Sequence, residues 1–379
     1  MKKLALAVLL VLGFAEDPVP PLVVHEWGTF TSVSGSDGVM VDWLPLAAGD
    51  DLPKFVYREG TGRGVPGGLG TKNLTPTRVR METPVIYFYS ERERIVSARV
   101  GFPKGRITEW YPAAVSVKPA LDWGKFKVLP ADATGPLPRE AGDSHYYPAR
   151  ETDASLVRVW NRFAAREEYQ LEKFLFYRGV GTFDLPIRAT LEGRRVTVER
   201  LGPDPLPAAI LFENSGGKMG YRLLGPIDGR QTVERPERTG TLETVLGELE
   251  RSLVSAGLFE KEARAMVKTW RDSWFEEGLR VFYLVPRAAT DAILPLSIDP
   301  KPDSLVRVLV GRAELVTPEQ ESRMTDLVRR LNSDSKTVRA AAQTDLKKLG
   351  RFAEPTLRRV LRTTSDPALQ ARIRELLPG

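Results

Sequence analysis

From Leu22 to about Arg235 the chain is written in short apolar or alternating runs cut by glycine and proline, the pattern of antiparallel strands and their turns. Val85 to Tyr89 reads as a buried strand, Val96, Ala98, Val100 and Phe102 alternate behind it, and Ile107 to Tyr111 returns across the Pro103-Lys104-Gly105 turn. Ile187 to Leu191 and Val196 to Leu201 flank Glu192-Gly193, and Ile210 to Glu213 and Tyr221 to Leu224 flank Ser215-Gly216-Gly217, as hairpin strands do. Strands that are apolar on one side must bury that side against a second layer, so this region predicts a sandwich or an open barrel.

The period changes at Thr241. Leu242, Val245, Leu249 and Leu253 share one helical face that stops at Gly257, and Ala263, Met266, Val267, Trp270 and Trp274 share a second that stops at Gly278. A helical hairpin is therefore expected over about 241–277, its aromatic and methionine stripe serving as a core face. Strand candidates at Val281 to Val285, Ile293 to Ile298 and Leu305 to Leu315 are expected to return to the main sheet. The fold class is α+β: a β-rich, sandwich-like or open-barrel body over 16–316 carrying the hairpin.

Residues 317–379 read as a separate all-α tail. Thr317 is placed to cap a helix, with Pro318 in the first helical position and Gln320 completing a capping box, and Met324, Leu327, Val328 and Leu331 share a face. A second helix carries Val338, Ala341, Ala342, Leu346 and Leu349. A third starts around Pro355, and a fourth at Pro367. Short amphipathic helices with tight connections cannot bury their stripes alone and should stack as helical hairpins. Val338-Arg339-Ala340-Ala341-Ala342, Leu349-Gly350 and Ala353-Glu354-Pro355-Thr356-Leu357, within Ser333 to Leu377, resemble HEAT-like repeats. That resemblance implies an interaction surface for another macromolecule and no catalytic residues.

The charge is concentrated in the same place. The formal net charge is +6, and Glu321 to Gly379 alone holds 13 basic against 7 acidic residues, so the first 320 residues balance. A basic helical tail fits a protein or an anionic envelope polymer as partner.

The other end sets the expected compartment. Lys2 and Lys3 precede an unbroken apolar run, Leu4 to Leu12, and small residues at Gly13 and Ala15 suit a signal peptidase. The run is too short to cross a bilayer, which takes roughly 20 helical residues. A signal peptide over 1–15, cleaved after about Ala15, is expected, followed by a periplasmic or extracellular protein with no transmembrane anchor and no nucleic-acid partner. The sequence contains no cysteine, which excludes disulfides, thiolate catalysis and cysteine-ligated metals. Stability must come from a hydrophobic core.

Candidate chemistry is assembled from few residues. The chain has two histidines: His25, in His25-Glu26-Trp27-Gly28-Thr29-Phe30 at the start of the first strand, and His145, in a polar loop beside Asp143, Arg150, Glu151 and Asp153. Convergence of both rings with a carboxylate would make a two-histidine, one-carboxylate site able to activate water or oxygen on a divalent metal. In that enzymatic alternative the catalytic candidates are His25, His145, Glu26 and Glu109, and the metal candidates His25, His145, Glu82 and Asp143. Strand alternation sets His25 and Glu26 on opposite faces unless the backbone bulges. His-Glu-x-x-His is absent. Ser215-Gly216-Gly217-Lys218 matches the Ser-x-x-Lys of penicillin-recognising enzymes but reads as a hairpin turn, and Gly62 to Gly67 matches a dinucleotide glycine pattern without a flanking strand or helix. Trp27, Trp43, Trp110 and Trp123 are candidates for sugar stacking or, more simply, for the core. Two function classes follow: an exported binding or scaffold protein with a docking tail, and a metal-dependent hydrolase.

Overall fold

The computed structural model describes residues 20–43, 52–60, 76–162, 164 and 166–377; the expected leader and the glycine-rich Gly62 to Gly67 lie outside them. In chain order the strands before the helices are β1 (Val23–Ser34), β2 (Tyr57–Arg58), β3 (Val79–Tyr89), β4 (Arg94–Gly101), β5 (Gly105–Tyr111), β6 (Ala120–Val128), β7 (Val157–Trp160), β8 (Tyr169–Glu172), β9 (Leu175–Gly181), β10 (Ile187–Glu192), β11 (Arg195–Arg200), β12 (Ala209–Ser215), β13 (Lys218–Leu223) and β14 (Arg230–Glu234). Then come α1 (Leu242–Ser255), α2 (Glu260–Trp274), β15 (Gly278–Leu284), α3 (Arg287–Ile293), β16 (Leu296–Asp299) and β17 (Ser304–Leu315). The tail is α4 (Pro318–Leu331), α5 (Lys336–Leu349), α6 (Glu354–Thr363) and α7 (Pro367–Leu376).

A nine-stranded sheet in the order β13-β12-β15-β17-β1-β3-β9-β5-β2 organises the body, with β1 at its centre. β1 pairs antiparallel with β3 and, along all twelve of its residues, parallel with β17, from Val23 opposite Ser304 to Ser34 opposite Leu315. One face of this sheet presents Val24, Phe30, Ile86, Phe88, Tyr177, Leu211, Val281 and Leu309. These pack against the apolar sides of a five-stranded sheet, β16-β4-β6-β7-β8, and a three-stranded sheet, β10-β11-β14. The opposite face presents Trp27, Val85, Tyr87, Phe176, Phe212, Phe282, Val308 and Val310 to α1 and α2. The sheets remain open, so the sandwich of the sequence reading forms and no barrel closes.

Local chemistry accounts for most boundaries. Thr241 Oγ1 accepts from Thr244 N at the start of α1, and Gly257, with φ 107°, takes the left-handed turn that releases the chain from it. Thr317 Oγ1 accepts from Gln320 N at 3.2 Å while Gln320 Oε1 accepts from Thr317 N at 2.9 Å, the expected capping box of α4. The four tail helices share one apolar cluster that includes Met324, Leu331, Leu346, Leu357 and Ile373, joined to the body through Val33, Trp43 and Val316.

The strand expected at Ile293 to Ile298 is corrected in two ways. Arg287 to Ile293 is helical, because Pro286 opens a run of good helix formers and Pro295 bars the residue before it from helical geometry. The strand that remains, β16, joins β4 in the smaller sheet instead of the main one.

Beside Trp27 the sheet is interlocked. β3 carries one extra residue between Met81 and Val85, and a Cβ on Gly28 would lie 2.9 Å from both Cα and Cγ of Pro84 in that bulge. Gly28→Ala should therefore destabilise the protein by about 2 kcal/mol through overpacking. The expected readout is a lower denaturant midpoint with an unchanged m-value; an unchanged midpoint would show that the bulge yields freely.

Candidate functional site

The two histidines are held apart by one helix. His25 is buried with Nδ1 2.7 Å from Glu262 Oε2, and its ring stacks 4.5 Å from Phe259. Glu262 also accepts from Tyr89 Oη at 2.7 Å and from Phe259 N at 2.8 Å. The cluster ties β1 and β3 to the first turn of α2. His145 Nε2 lies 2.9 Å from Asp272 Oδ2, and its ring stands edge-on to Trp270. Glu262 and Asp272 are ten residues apart on α2, about 15 Å by helical rise. The geometry thus leaves the rings on separate carboxylates and does not assemble the shared-metal arrangement. Asp143 is exposed near His145, and among the described residues no group of three histidines or acids is placed to hold a metal ion.

Glu26 faces the other way, as strand alternation requires. Arg307, its register partner on β17, donates Nε to Glu26 Oε2 at 2.5 Å, Nη1 to Asp291 Oδ1 at 2.6 Å and Nη2 to the Leu294 carbonyl at 2.8 Å. Tyr177 Oη donates to Glu26 Oε1 at 2.6 Å. Burial pushes the Tyr177 hydroxyl well above its ordinary pKa, and the Glu26 charge adds to the effect, so the phenol keeps the proton it donates. Both Glu26 oxygens are thus taken by hydrogen bonds within the sheet.

Glu82 and Glu109, by contrast, fall into a constellation that neither histidine joins. On the helix-bearing face of the main sheet, below Trp27, a row of charged and hydroxyl side chains crosses successive strands. It runs from Arg280 on β15 to Arg312 and Glu314 on β17, Thr29 and Thr31 on β1, and Arg80 and Glu82 on β3. It continues through Arg178 on β9 and Glu109 on β5 to Arg58 on β2. Arg280 Nε donates to Glu314 Oε2 at 3.0 Å, with both side chains fully buried. Arg312 contacts Glu314 and donates Nη2 to Glu276 Oε1 at 2.7 Å, just beyond α2. Thr31 Oγ1 donates to Glu82 Oε2 at 2.7 Å, and Arg80 Nη1 lies 3.1 Å from Glu82 Oε1. Thr108, the extra residue in a second bulge, donates to Glu109.

Two features separate this row from an ordinary ion network. Among the described residues it gathers five guanidinium groups, on Arg58, Arg80, Arg178, Arg280 and Arg312, with four carboxylates, on Glu82, Glu109, Glu276 and Glu314. It also contains unanswered polar atoms: Thr29 Oγ1, Thr83 Oγ1 and Arg312 Nε are buried with no hydrogen-bond partner among the described residues. Thr83, in the β3 bulge, has φ 47°, a left-handed conformation that costs a β-branched residue about 1–3 kcal/mol. A strained bulge beside unsatisfied polar groups on the adjoining strands calls for an explanation other than stability. Chemically, hydroxyl and guanidinium groups side by side suit an anionic oxygen.

Sequence reasoning reached Glu82 and Glu109 as carboxylates beside strands and missed the arginines and threonines. Their signal is a charge embedded in an apolar strand, as in Leu279-Arg280-Val281 and Tyr177-Arg178-Gly179. Trp27, Trp43 and Trp123 are core residues and Trp110 is half-buried, so none offers an open stacking face. Ser215 and Lys218 close the β12–β13 hairpin, as read.

No family model matches the chain, and no curated protein matches it. Among solved structures it is similar to the Fcho1 Mu homology domain of Danio rerio with a bound Eps15 peptide, at 8% identity and a TM-score of 0.31, covering 80% of this chain and 100% of that one. It is also similar to the yeast delta-COP-I mu-homology domain complexed with a Dsl1 WxWxV peptide, at 9% identity and a TM-score of 0.28, covering 79% of this chain and 98% of that one. Scores this low do not establish a common topology.

The electrostatics of the row are open to titration. Burial pushes Glu82 up, but Arg80, Arg312, the Thr31 hydrogen bond and Arg178 together outweigh it and hold the carboxyl below its ordinary pKa. A depressed folded-state pKa stabilises the protein fully above the unfolded carboxylate value, near 4.3, and that contribution is lost as pH falls through the lower folded value. Glu82→Gln should cost about 3 kcal/mol at pH 7, because it removes the buried carboxylate charge that faces Arg80. It should also flatten stability against pH below about 4.3. Equal acid limbs in the two proteins, measured by urea unfolding, would contradict this assignment.

Proposed function

We propose that this chain is an exported binding protein. Its β-rich body holds an anionic group of the ligand, a carboxylate or a phosphate, on the charged row, and its basic helical tail docks a protein or an anionic envelope polymer. One observation carries the reading of the body: the buried Thr29 and Thr83 hydroxyls and Arg312 Nε, unanswered among the described residues, lie in a row of guanidinium and carboxylate groups. Each such group costs about 1–3 kcal/mol while unsatisfied, and an anionic oxygen accepts from hydroxyl and guanidinium alike. The docking role of the tail rests on its resemblance to HEAT-like repeats and on its 13 basic against 7 acidic residues from Glu321 to Gly379. Export rests on the leader pattern of residues 1–15, and no helix among the described residues is long and apolar enough to cross a membrane.

The body can be tested with inorganic phosphate and succinate as probes in isothermal titration and thermal unfolding. One of the two should bind and raise the melting temperature. Thr29→Val, which removes an unsatisfied hydroxyl at nearly constant volume, should stabilise the ligand-free protein by about 1 kcal/mol yet weaken binding of the active probe. Failure of both anions to bind, or full retention of binding in Thr29→Val, would refute the site. Export has its own check, since the chain recovered outside the cytoplasm should begin at Glu16.

A further inference from the structure

A cavity of about 710 Å³ opens between the three-stranded sheet and α3. Its floor is apolar and buried, formed by Phe183, Leu185 and Ile187 on the approach to β10. Its rims are apolar and wet: Val39 is 61% exposed on the loop after β1, and Leu201 is 48% exposed beyond β11. Neither rim position is accidental in its backbone. Gly38 holds φ 74° and approaches β10 so closely that a Cβ would lie 2.8 Å from the Ala189 carbonyl oxygen, which sets Val39 at the edge of the cavity.

The charged side chains that line this apolar trough are mostly basic. Among the described residues they are Arg78, Lys104 and Arg188, with Asp184. Arg78 keeps a 3.3 Å contact with Asp42, and Arg188 stands 4.0 Å from Glu199, so both remain near the rim. A concave site of this size falls within the range of small-molecule pockets, about 300–1,000 Å³. An extended peptide fits less well, because the route by which peptides join sheets is obstructed: the backbone N–H of Leu191 on β10 already donates to the Ser36 carbonyl at 2.7 Å.

We propose that this cavity binds a single-chain amphiphile with an anionic head, of the class of long-chain carboxylates. The alkyl chain lies along Phe183, Leu185 and Ile187 between Val39 and Leu201, and the head group meets Lys104, Arg78 and Arg188. Burying the chain supplies affinity through the hydrophobic effect, and the cationic rim supplies preference for the sign of the head. The assignment is independent of the charged row.

The test is isothermal titration of the full exported chain with dodecanoate and with dodecyltrimethylammonium, both below their micellar concentrations. Dodecanoate should bind with one-to-one stoichiometry and the cationic amphiphile at least about tenfold more weakly. Leu201→Asp, at an exposed position whose replacement leaves the core intact, should weaken dodecanoate at least about tenfold, and Lys104→Glu should reduce or reverse the preference for the anionic head. Thermal melts of both variants establish that they fold. Equal binding of the two amphiphiles, dodecanoate affinity unchanged by Leu201→Asp, or binding of an acidic apolar peptide in the absence of dodecanoate binding would each overturn the proposal.

Discussion

The contact between Glu26 and Arg307 fixes the arrangement on which the remaining sheet is built. These residues are register partners on β1 and β17, 281 positions apart, and their 2.5 Å bond is fully enclosed. A slip of one residue in a strand moves every side chain to the opposite face. Here it would also strand a glutamate and an arginine without their partners in apolar surroundings, an error of several kcal/mol. The pair therefore specifies a unique parallel register for the centre of the sheet, and that register aligns His25 with the helical hairpin and Thr29 and Thr31 with the charged row.

The same strand thus serves three purposes along its length. At its start, His25 anchors α2 through Glu262. In its middle, Gly28 admits Pro84 and with it the strained bulge at Thr83. At its end, Val33 joins the apolar cluster of the tail, so the all-α module packs on the body through hydrophobic contacts while its basic residues remain outside. Architecture and candidate site have a common origin in one twelve-residue segment.

Much of this architecture was legible from hydrophobic period. The hairpins at Glu192-Gly193 and Ser215-Gly216-Gly217, the helical pair after Thr241 and the capped helix after Thr317 all follow from patterns confined to a few residues. Misreadings arose where short signals competed. Ile293 to Ile298 carries an apolar strand signal, whereas Arg287 to Ile293 is a helix opened by Pro286. The site was much less legible. Arg80, Arg178, Arg280 and Arg312 are separated widely in sequence and become neighbours only once strand order and register are known. Histidines attract attention by their chemistry, yet both are committed to carboxylates of α2, a pairing that no local pattern announces.

The parallel union of β1 with β17 also governs when the molecule can finish folding. β1 leaves the ribosome early, but its neighbour emerges 281 residues later, a delay of roughly 15–55 s at synthesis rates of 5–20 residues per second. Until then the middle of the main sheet lacks a strand, and the nascent polypeptide is an open thread with exposed apolar segments. A protein unable to complete its central layer before its last strands arrive stays pliable throughout its synthesis, and the proposed passage through a translocation channel would draw on that delay.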